Sequence, residues 1–156
     1  MTDTDQIAQD RAEITALIQR QFAALCWDEH TSPDTQALIS AYLPDASLFA
    51  SARPATAQTA ADFGERMVAL RDSGALPVFS EKGRGLHIWI TGAVAVALAG
   101  CEMHENRKTV TQDISAFLLV RNPQGWVIAS QAWDMLPSIA DAFAATGLNA
   151  EPFFSG

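Results

Sequence analysis

The sequence has few basic residues: 10 lysines and arginines stand against 18 aspartates and glutamates, giving a formal net charge of −8. Nucleic acids and anionic membranes are bound through basic surfaces. Neither is therefore expected as a partner. The same acidity disfavours strongly anionic substrates unless a local basic site compensates for it.

Cysteine is also scarce, because Cys26 and Cys101 are the only two. Small secreted proteins usually carry more cysteines. The first residues, MTDTDQIAQDRAE, lack the basic and apolar regions of a signal peptide. The apolar run AVAVALAG is far too short to span a bilayer. These absences predict a soluble, reduced, cytoplasmic protein.

Motifs for metals and nucleotides are missing as well. Cys101 and His104 are three residues apart on a predicted strand, so their side chains point to opposite faces, and no second ligand pair lies nearby. The glycines of residues 83–85 lack the spacing and the following helix of a phosphate-binding loop. The sequence therefore predicts no metal and no cofactor.

Helical periodicity dominates the first half of the chain. Apolar residues at helical spacing predict a helix from about residue 5 to 28. A short helix is predicted to open with Ser32 as its cap and to stop at Pro44, ahead of a short strand near residues 47–51. A third helix is predicted to be capped by Thr59.

The stretch from Gly83 to Asp134 is predicted to form three long antiparallel strands. Helices followed by such strands indicate an α+β architecture, with a sheet that curls around the helices and encloses a cavity. No internal repeat or linker divides the chain. We therefore predict one domain over residues 1–136 and a tail, 137–156, that holds a short helix.

Alternation along a strand predicts which side chains share a face. From residue 94 to 104, large residues occupy the even positions, whereas small ones occupy odd positions such as Ala95, Ala97 and Ala99. The even face is predicted to meet the helices. The alanine face is predicted to meet a second subunit, which would make the protein a homodimer.

The predicted hairpin at residues 105–108 closes with a two- or a four-residue loop. Both place even positions before the turn on the face of odd positions after it. A two-residue turn at Thr91-Gly92 adds two residues of the preceding strand. The inward-facing set is then His87, Trp89, Glu102, His104, Thr111, Asp113, Ser115 and Phe117.

These elements together resemble the nuclear transport factor 2 (NTF2)-like superfamily, which includes SnoaL-like polyketide cyclases and ketosteroid isomerases. The resemblance covers roughly residues 7–135 and rests on the long first helix, the segment YLPDASLFA, the third helix and the ending GWVIASQAWD. It implies a cone-shaped, curled antiparallel sheet wrapped around the N-terminal helices, a cystatin-like α+β roll. It also implies a pocket and pairing through the sheets as dimers.

The same resemblance argues against steroid isomerisation. The position of the isomerase's oxyanion-stabilising aspartate falls on Ser115, and that of its general base falls on Ala50. Both functional carboxylates are thus missing. By the same comparison, the pocket side of the last strand comprises Trp126, Ile128, Ser130, Ala132 and Asp134.

His87, Asp113 and Asp134 are the candidate catalytic residues. A histidine oriented by a carboxylate on a nearby strand makes a general base, and an apolar cavity raises the pKa of a carboxyl group. The alternative is a buried hydrogen-bonded pair that only holds the sheet. Candidate substrate contacts, with core packing or a solvated hairpin end as the alternatives, are Trp89, Ser115, Phe117, Tyr42, Glu102 and Trp126, joined by Trp133 if the last strand's register shifts.

Two functions fit these patterns. The first is a cofactor-free acid–base enzyme, such as an isomerase, cyclase, dehydratase or hydrolase, acting on a small apolar molecule. The second is a non-catalytic ligand-binding or association domain in which the same residues hold the structure. The position of His87 relative to Asp113 and Asp134 distinguishes the two.

Overall fold

The structure is a computed structural model that describes residues 2–156, apart from the side chains at positions 139 and 142. Met1, the first residue of the predicted domain, lies outside it. The helices are α1 Asp3–Ala24, α2 Thr35–Ser40, α3 Ala60–Asp72 and α4 Ile139–Thr146. Over this described part of the chain, no helix combines the length and the apolarity needed to cross a membrane.

Side-chain caps define where the first three helices begin. Thr2 and Asp5 form a reciprocal capping box at the start of α1. Asp34, rather than the predicted Ser32, caps α2 by accepting a hydrogen bond from a backbone N–H. Thr59 caps α3 as predicted.

Helix α1 ends earlier than predicted, at Ala24. The backbone N–H and C=O of Trp27 pair instead with those of Phe79, at N–O distances of 2.8 and 3.0 Å. This bridge turns the chain out of the helix and ties its end to the sheet.

The sheet has seven strands in the order β2-β1-β6-β5-β4-β3-β7. All neighbours are antiparallel except β1 and β6, which are parallel. The strands are β1 Tyr42–Phe49, β2 Ala57–Gln58, β3 Phe79–Thr91, β4 Val94–Glu105, β5 Thr109–Asn122, β6 Gly125–Leu136 and β7 Pro152–Ser155. The region predicted as three strands thus forms four. The sheet is curled and unclosed, so the α+β prediction is confirmed.

The hairpin between β4 and β5 differs from both predicted loops. Glu105 pairs with Thr109, which leaves a three-residue loop. Asn106 and Arg107 adopt positive φ angles of 54° and 57° in it, and Asn106 is anchored to the backbone of Val78. Odd positions on β4 therefore share a face with odd positions on β5, because the odd-length loop changes the register by one residue.

The alanines of β4 consequently face the helices. Ala97 is only 1% exposed and, with Ala95 and Ala99, belongs to the central core, whereas Val94 and Val96 point to the outer surface. The prediction that the alanine face meets a second subunit is wrong. The small side chains instead face the buried side of the curled sheet.

A bulge in β3 changes which residues face inward along that strand. The register shifts between Gly83 and Leu86, where Gly85 has a φ of 82°. As a result Glu81 points to the concave face, while His87 and Trp89 point to the convex one.

A second bulge, in β6, likewise changes which residues of its strand face inward. Ile128 pairs with Leu119 but Ser130 pairs with Leu118, so Ala129 is the extra residue. Trp126 and Ile128 face inward before the bulge. After it, Gln131 and Trp133 face inward, so the alternative register considered for Trp133 is the one observed.

The tail residues complete the sheet. After α4 ends at Gly147, strand β7 pairs with the edge of β3. Phe153 and Phe154 pack on Phe22 of α1, with ring centroids 5.7 and 6.0 Å away. Gln19 donates a 2.6 Å hydrogen bond to the carbonyl oxygen of Phe153. The tail therefore closes one side of the core.

Candidate active site

A cavity of about 240 Å³ lies between helices α1 and α3 and the concave face of the sheet. Most of its wall is apolar. The large apolar residues that line it are Phe22, Leu25, Phe63, Met67, Leu70, Leu76, Phe79, Met103 and Trp133. The rings of Phe63 and Trp133 meet edge to face with centroids 5.2 Å apart. Such a wall suits an apolar, flat ligand.

Two buried carboxyl groups enter this apolar cavity from the sheet, and the half-buried Glu105 on β4 also lines it. Asp113 on β5 pairs with Cys101 on the neighbouring strand β4, and Glu81 on β3 lies on the other side of β4, opposite Met103. Both carboxyl residues are 8% exposed. Oδ1 of Asp113 and Oε2 of Glu81 have no hydrogen-bond partner within the described residues. Buried polar atoms rarely lack a hydrogen-bond partner, so this pair of carboxyl groups is unusual.

The environment of the pair favours protonated carboxyl groups. Burial raises the pKa of Asp113 to about 7. Burial and the neighbouring Asp113 together raise the pKa of Glu81 well above its usual range, against the effect of a hydrogen bond from Cys101. The raised pKa favours the protonated form of Glu81, which can donate a hydrogen bond. A carboxyl group with a pKa of about 7, such as that of Asp113, exchanges protons readily near neutral pH.

Cys101 lies beside both carboxyl groups without being reactive itself. Burial and the charge of Glu81 raise the pKa of its thiol. Nucleophilic chemistry requires the thiolate. Cys101 therefore contributes a weak hydrogen bond to Glu81 rather than a nucleophile.

A chain of side-chain hydrogen bonds forms another part of the wall. Gln21 Nε2 donates to the Tyr42 hydroxyl at 3.1 Å, and Tyr42 donates to Gln131 Oε1. Gln131 Nε2 donates in turn to Ser115 Oγ at 3.2 Å. Gln21, Gln131 and Ser115 line the cavity, whereas Tyr42 lies behind them.

Arg66 of α3 is the single basic side chain among the described residues that line the cavity. It is exposed, and it also borders a neighbouring cavity of about 200 Å³ next to residues 54–58. It is therefore the local basic group that would let this acidic protein accept a substrate with a negative charge.

Asp113 and Ser115 line the cavity, as does Trp133, which was a candidate only in the shifted register. His87 does not, because the face it occupies is the convex one. Its ring lies 4.1 Å from that of Trp89, which is 49% exposed on the same surface. Asp134 is also exposed, because the bulge in β6 turns it outward. The predicted pairing of His87 with Asp113 or Asp134 is wrong.

The remaining predicted residues have structural positions. Phe117 is buried in the core, and Trp126 donates its indole N–H to Asp10 at 2.9 Å. Tyr42 supports the cavity wall from behind. Glu102 lies opposite the predicted face, where it accepts a hydrogen bond from Arg84 at 2.7 Å.

The sequence reasoning missed Glu81, Gln21 and Gln131. Glu81 was missed because the predicted strands begin at Gly83, whereas β3 begins at Phe79. The closely spaced glycines at 83 and 85 were the available signal for the bulge beside it. Gln21 had a clearer signal, since it is a polar residue on the otherwise apolar face of α1. Over the described residues, no group of three or more histidine, cysteine, aspartate or glutamate side chains is arranged to hold a metal ion.

Comparison with known proteins places the fold. No family model and no curated protein matches the sequence. An NTF2-like protein with a cystatin-like fold from Novosphingobium aromaticivorans superposes with a TM-score of 0.67 at 20% identity, over 90% of this chain and 91% of the other. This chain has the NTF2-like, cystatin-like fold. The resemblance predicted from the sequence is thereby confirmed at the level of the fold.

Other solved structures with similar folds are more distant in sequence. A candidate dehydratase of the NTF2-like family from Streptomyces avermitilis is 12% identical, with a TM-score of 0.64 over 84% of this chain and 99% of that one. A Mycobacterium tuberculosis protein of unknown function is 13% identical, with a TM-score of 0.71 over 90% and 80% of the two chains. At such identities the likeness concerns the NTF2-like fold alone.

Proposed function

We propose that this NTF2-like protein is a cofactor-free acid–base enzyme that moves a proton at a carbon atom beside a carbonyl group of a small, largely apolar substrate. The observation that carries the proposal is the pair Glu81 and Asp113. Two carboxyl groups with unpartnered oxygens share one apolar cavity and differ in how strongly they hold their protons. Proton transfer of this kind is common to isomerases, cyclases and dehydratases.

The two carboxyl groups have separate roles in the proposed step. Ionised Asp113 removes the proton from the carbon, and the electrons of the C–H bond form a carbon–carbon double bond. The carbonyl electrons move onto oxygen, which accepts a hydrogen bond from protonated Glu81. Where the substrate carries a β,γ double bond, return of the proton to the γ carbon of the resulting dienolate completes an isomerisation. Loss of a neighbouring hydroxyl group as water, with the proton supplied by Glu81, completes a dehydration.

The size of the cavity limits the substrate. A volume of about 240 Å³ holds on the order of ten non-hydrogen atoms, because one water molecule occupies about 30 Å³ in the liquid. The aromatic wall formed with Phe63 and Trp133 favours a flat ring. A monocyclic ketone is of this size.

Hydrogen exchange in heavy water tests the proposal. Acetophenone and its 3- and 4-hydroxy derivatives are incubated with the protein in D₂O, and loss of the methyl proton signal is followed by NMR. Asp113→Asn is expected to slow the exchange at least 100-fold, since it removes the base. Asp134→Asn, which alters an exposed aspartate on the same sheet, is the matched control and is expected to change nothing. Normal exchange in Asp113→Asn, or slow exchange in Asp134→Asn, would contradict the assignment of Asp113 as the base.

The pH dependence of this exchange follows from the raised pKa of Asp113. Only the ionised carboxylate accepts a proton, so the rate is expected to rise with pH and to level off above about 7. A rate that stays constant between pH 5 and 8 would exclude Asp113 as the base.

A non-catalytic binding domain is the second candidate. It is favoured by one observation: no histidine is among the described residues that line the cavity, and His87 lies outside. In that case the same ketones bind, as measured by calorimetry, but none exchanges its protons faster than in buffer. Binding without exchange would therefore replace the first proposal by the second.

We further propose that the protein forms a homodimer through the convex face of the sheet. Exposed apolar side chains cluster there, namely Trp89, Val94, Val96 and Leu118. Contiguous apolar surface of this kind supports association. Val96→Arg is expected to give monomers by light scattering, whereas Val110→Arg, nearer the β4–β5 hairpin, leaves the mass unchanged. A wild-type protein that is monomeric at micromolar concentration would refute the dimer.

A further inference from the structure

The orientation of the Gln21 amide is determined by its neighbour. Tyr42 gives its only hydroxyl proton to Gln131, so its oxygen is left as an acceptor towards Gln21. Gln21 must present its NH₂ group there, which turns Oε1 away from Tyr42. Gln21 is 2% exposed and lines the cavity, and its Oε1 has no partner within the described residues. An unsatisfied buried acceptor costs about 1–3 kcal/mol.

The opposite end of the same hydrogen-bond chain, at Ser115, also has an unused hydrogen-bonding group. Ser115 Oγ accepts a proton from Gln131, and its own hydroxyl proton has no acceptor among the hydrogen bonds of residues 2–156. Ser115 is buried and lines the same cavity. The chain therefore presents an acceptor at Gln21 and a donor at Ser115 to one enclosed space.

A network that served only to hold the core would end on backbone groups or on further side chains. This one ends twice at the cavity surface, with buried atoms of opposite hydrogen-bonding character. The smallest group that both donates and accepts hydrogen bonds is a hydroxyl. A ligand hydroxyl group that reaches both residues would satisfy Gln21 and Ser115 without disturbing Tyr42.

We propose that the substrate is a small hydroxy-ketone whose hydroxyl group donates to Gln21 Oε1 and accepts from the Ser115 hydroxyl, while its carbonyl group faces Glu81 and Asp113. Gln21 is then the residue that selects hydroxylated substrates. This inference rests on the proposed function, because the carbonyl is assigned from the proton-transfer step. It adds the second polar group of the substrate and the residues that recognise it.

Matched probes separate a hydroxyl from a methyl group of similar size. The dissociation constants of 3- and 4-hydroxyacetophenone are compared by calorimetry with those of 3- and 4-methylacetophenone. In at least one ring position the hydroxy compound is expected to bind at least tenfold more tightly, because the methyl compound leaves buried polar atoms unpaired. Equal affinities at both positions, or no binding of any probe, would overturn the inference.

Variants assign this preference to the two residues. Gln21→Leu is expected to abolish the preference for the hydroxy compound while the methyl compound binds as before. Gln9→Leu, on an exposed part of α1, is the matched control. If Gln21→Leu does not fold, Ser115→Ala serves instead and is expected to weaken the binding of the hydroxy compound alone. A preference that survives both substitutions would show that neither residue selects the hydroxyl.

Asp113→Asn separates this inference from the proposed function. The variant is expected to keep the preference for the hydroxy compound although it no longer exchanges protons. Exchange in the wild type without any preference would overturn the inference and leave the function standing. A preference without exchange would overturn the proposed function and the placement of the carbonyl group, and would leave only the recognition of the hydroxyl group.

Discussion

Two buried aspartates of this protein are in opposite electrostatic states. Asp10 of α1 is 2% exposed and accepts four hydrogen bonds, two from Arg121 at 2.9 and 2.8 Å, one from Trp126 at 2.9 Å and one from Gln6 at 3.0 Å. Burial acts to raise its pKa, but these bonds outweigh burial and hold the pKa below the usual range. Asp113 is buried to a similar degree without such donors, and its pKa rises to about 7.

The comparison shows that the donors around a carboxyl group, rather than burial alone, decide its protonation state. Asp10 joins α1 to the β5–β6 hairpin, so its bonds are all made within the protein. Asp113 and Glu81 keep oxygens that a ligand can meet. One acidic site stabilises the fold, and the other leaves unpartnered carboxyl oxygens at the cavity at some cost in stability.

The largest expected effect comes from removing the satisfied carboxylate. Asp10→Ala leaves Arg121 and the Trp126 N–H without their partner, so we expect a loss of about 3 kcal/mol in the free energy of unfolding, measured by urea denaturation at pH 7. Asp45→Asn, at an exposed position, is the control and should cost nothing measurable. A loss below about 1 kcal/mol would remove the basis of the comparison.

The pH dependence of the stability difference between the wild type and Asp10→Ala tests whether Asp10 is ionised. Because the pKa of Asp10 is lowered in the folded state, its contribution is present above its unfolded value of 3.8 and is lost as the pH falls through the folded pKa. The difference between wild type and Asp10→Ala should therefore shrink at pH 3. A difference that does not change between pH 7 and pH 3 would argue against an ionised Asp10.

The contribution of Asp113 to stability is expected to change with pH in the opposite direction. The folded state keeps a proton that the unfolded state releases above its pKa of 3.8, so stability falls as the pH rises from about 4 to about 7. Asp113→Asn removes this penalty. The shift from 3.8 to about 7, at about 1.4 kcal/mol per pKa unit, sets a difference of about 4 kcal/mol between pH 8 and pH 4. The buried amide has no partner either, which costs about 2 kcal/mol at both pH values. We therefore expect Asp113→Asn to gain about 2 kcal/mol at pH 8 and to lose about 2 kcal/mol at pH 4.

Urea denaturation at the two pH values measures this gain and this loss directly. Asp134→Asn is again the control, and it should leave the pH dependence of stability as it is in the wild type. If Asp113→Asn is less stable than the wild type at pH 8, then Asp113 resembles Asp10, and the contrast between the two sites is lost.

A smaller effect is expected where strand β7 of the tail packs against strand β3. A methyl group on Gly83 would approach the Phe153 ring to 2.5 Å, so the ring must move in Gly83→Ala. We expect a loss of about 1 kcal/mol. The substitution should cost less when Phe153 is already alanine, because the clash has been removed. Additive effects in this double-mutant cycle would show that the tail is not packed there.

The smallest expected signal is the reactivity of the thiols next to the carboxyl pair. Burial raises the pKa of Cys26 to about 11 and also raises that of Cys101. Both should react with a disulfide reagent at pH 8 far more slowly in the native protein than in guanidinium, where both react at once. Fast reaction of Cys101 in the native state would mean that water reaches the carboxyl pair freely.

Much of the fold was predictable because it follows from local patterns. Apolar periodicity located α1 and α3, and the Thr59 cap set the start of α3. The resemblance to NTF2-like proteins then supplied the arrangement of these elements. The cavity-facing positions of Asp113 and Ser115 were correct, although the β4–β5 hairpin had been assigned the wrong loop length.

The errors have a common physical origin. A strand's faces exchange whenever one residue is inserted, and three such insertions occur here. The loop after Glu105 depends on positive φ angles at Asn106 and Arg107. Neither residue is a glycine, so nothing in the sequence signalled these angles. The bulges near Gly83 and at Ala129 turned Glu81 inward and Asp134 outward. Alternation alone carries no information about where such insertions fall.

Strand β7 also determines how the sheet meets other molecules at its border. An unpaired border strand exposes backbone groups that invite pairing with another chain and, eventually, aggregation. Here β7 occupies part of the border of β3, and farther along the Arg11 guanidinium donates a 2.9 Å hydrogen bond to the carbonyl oxygen of Ile88. The backbone groups of β3 are thus occupied at both places. The proposed self-association through the convex face would then depend on side chains rather than on backbone groups.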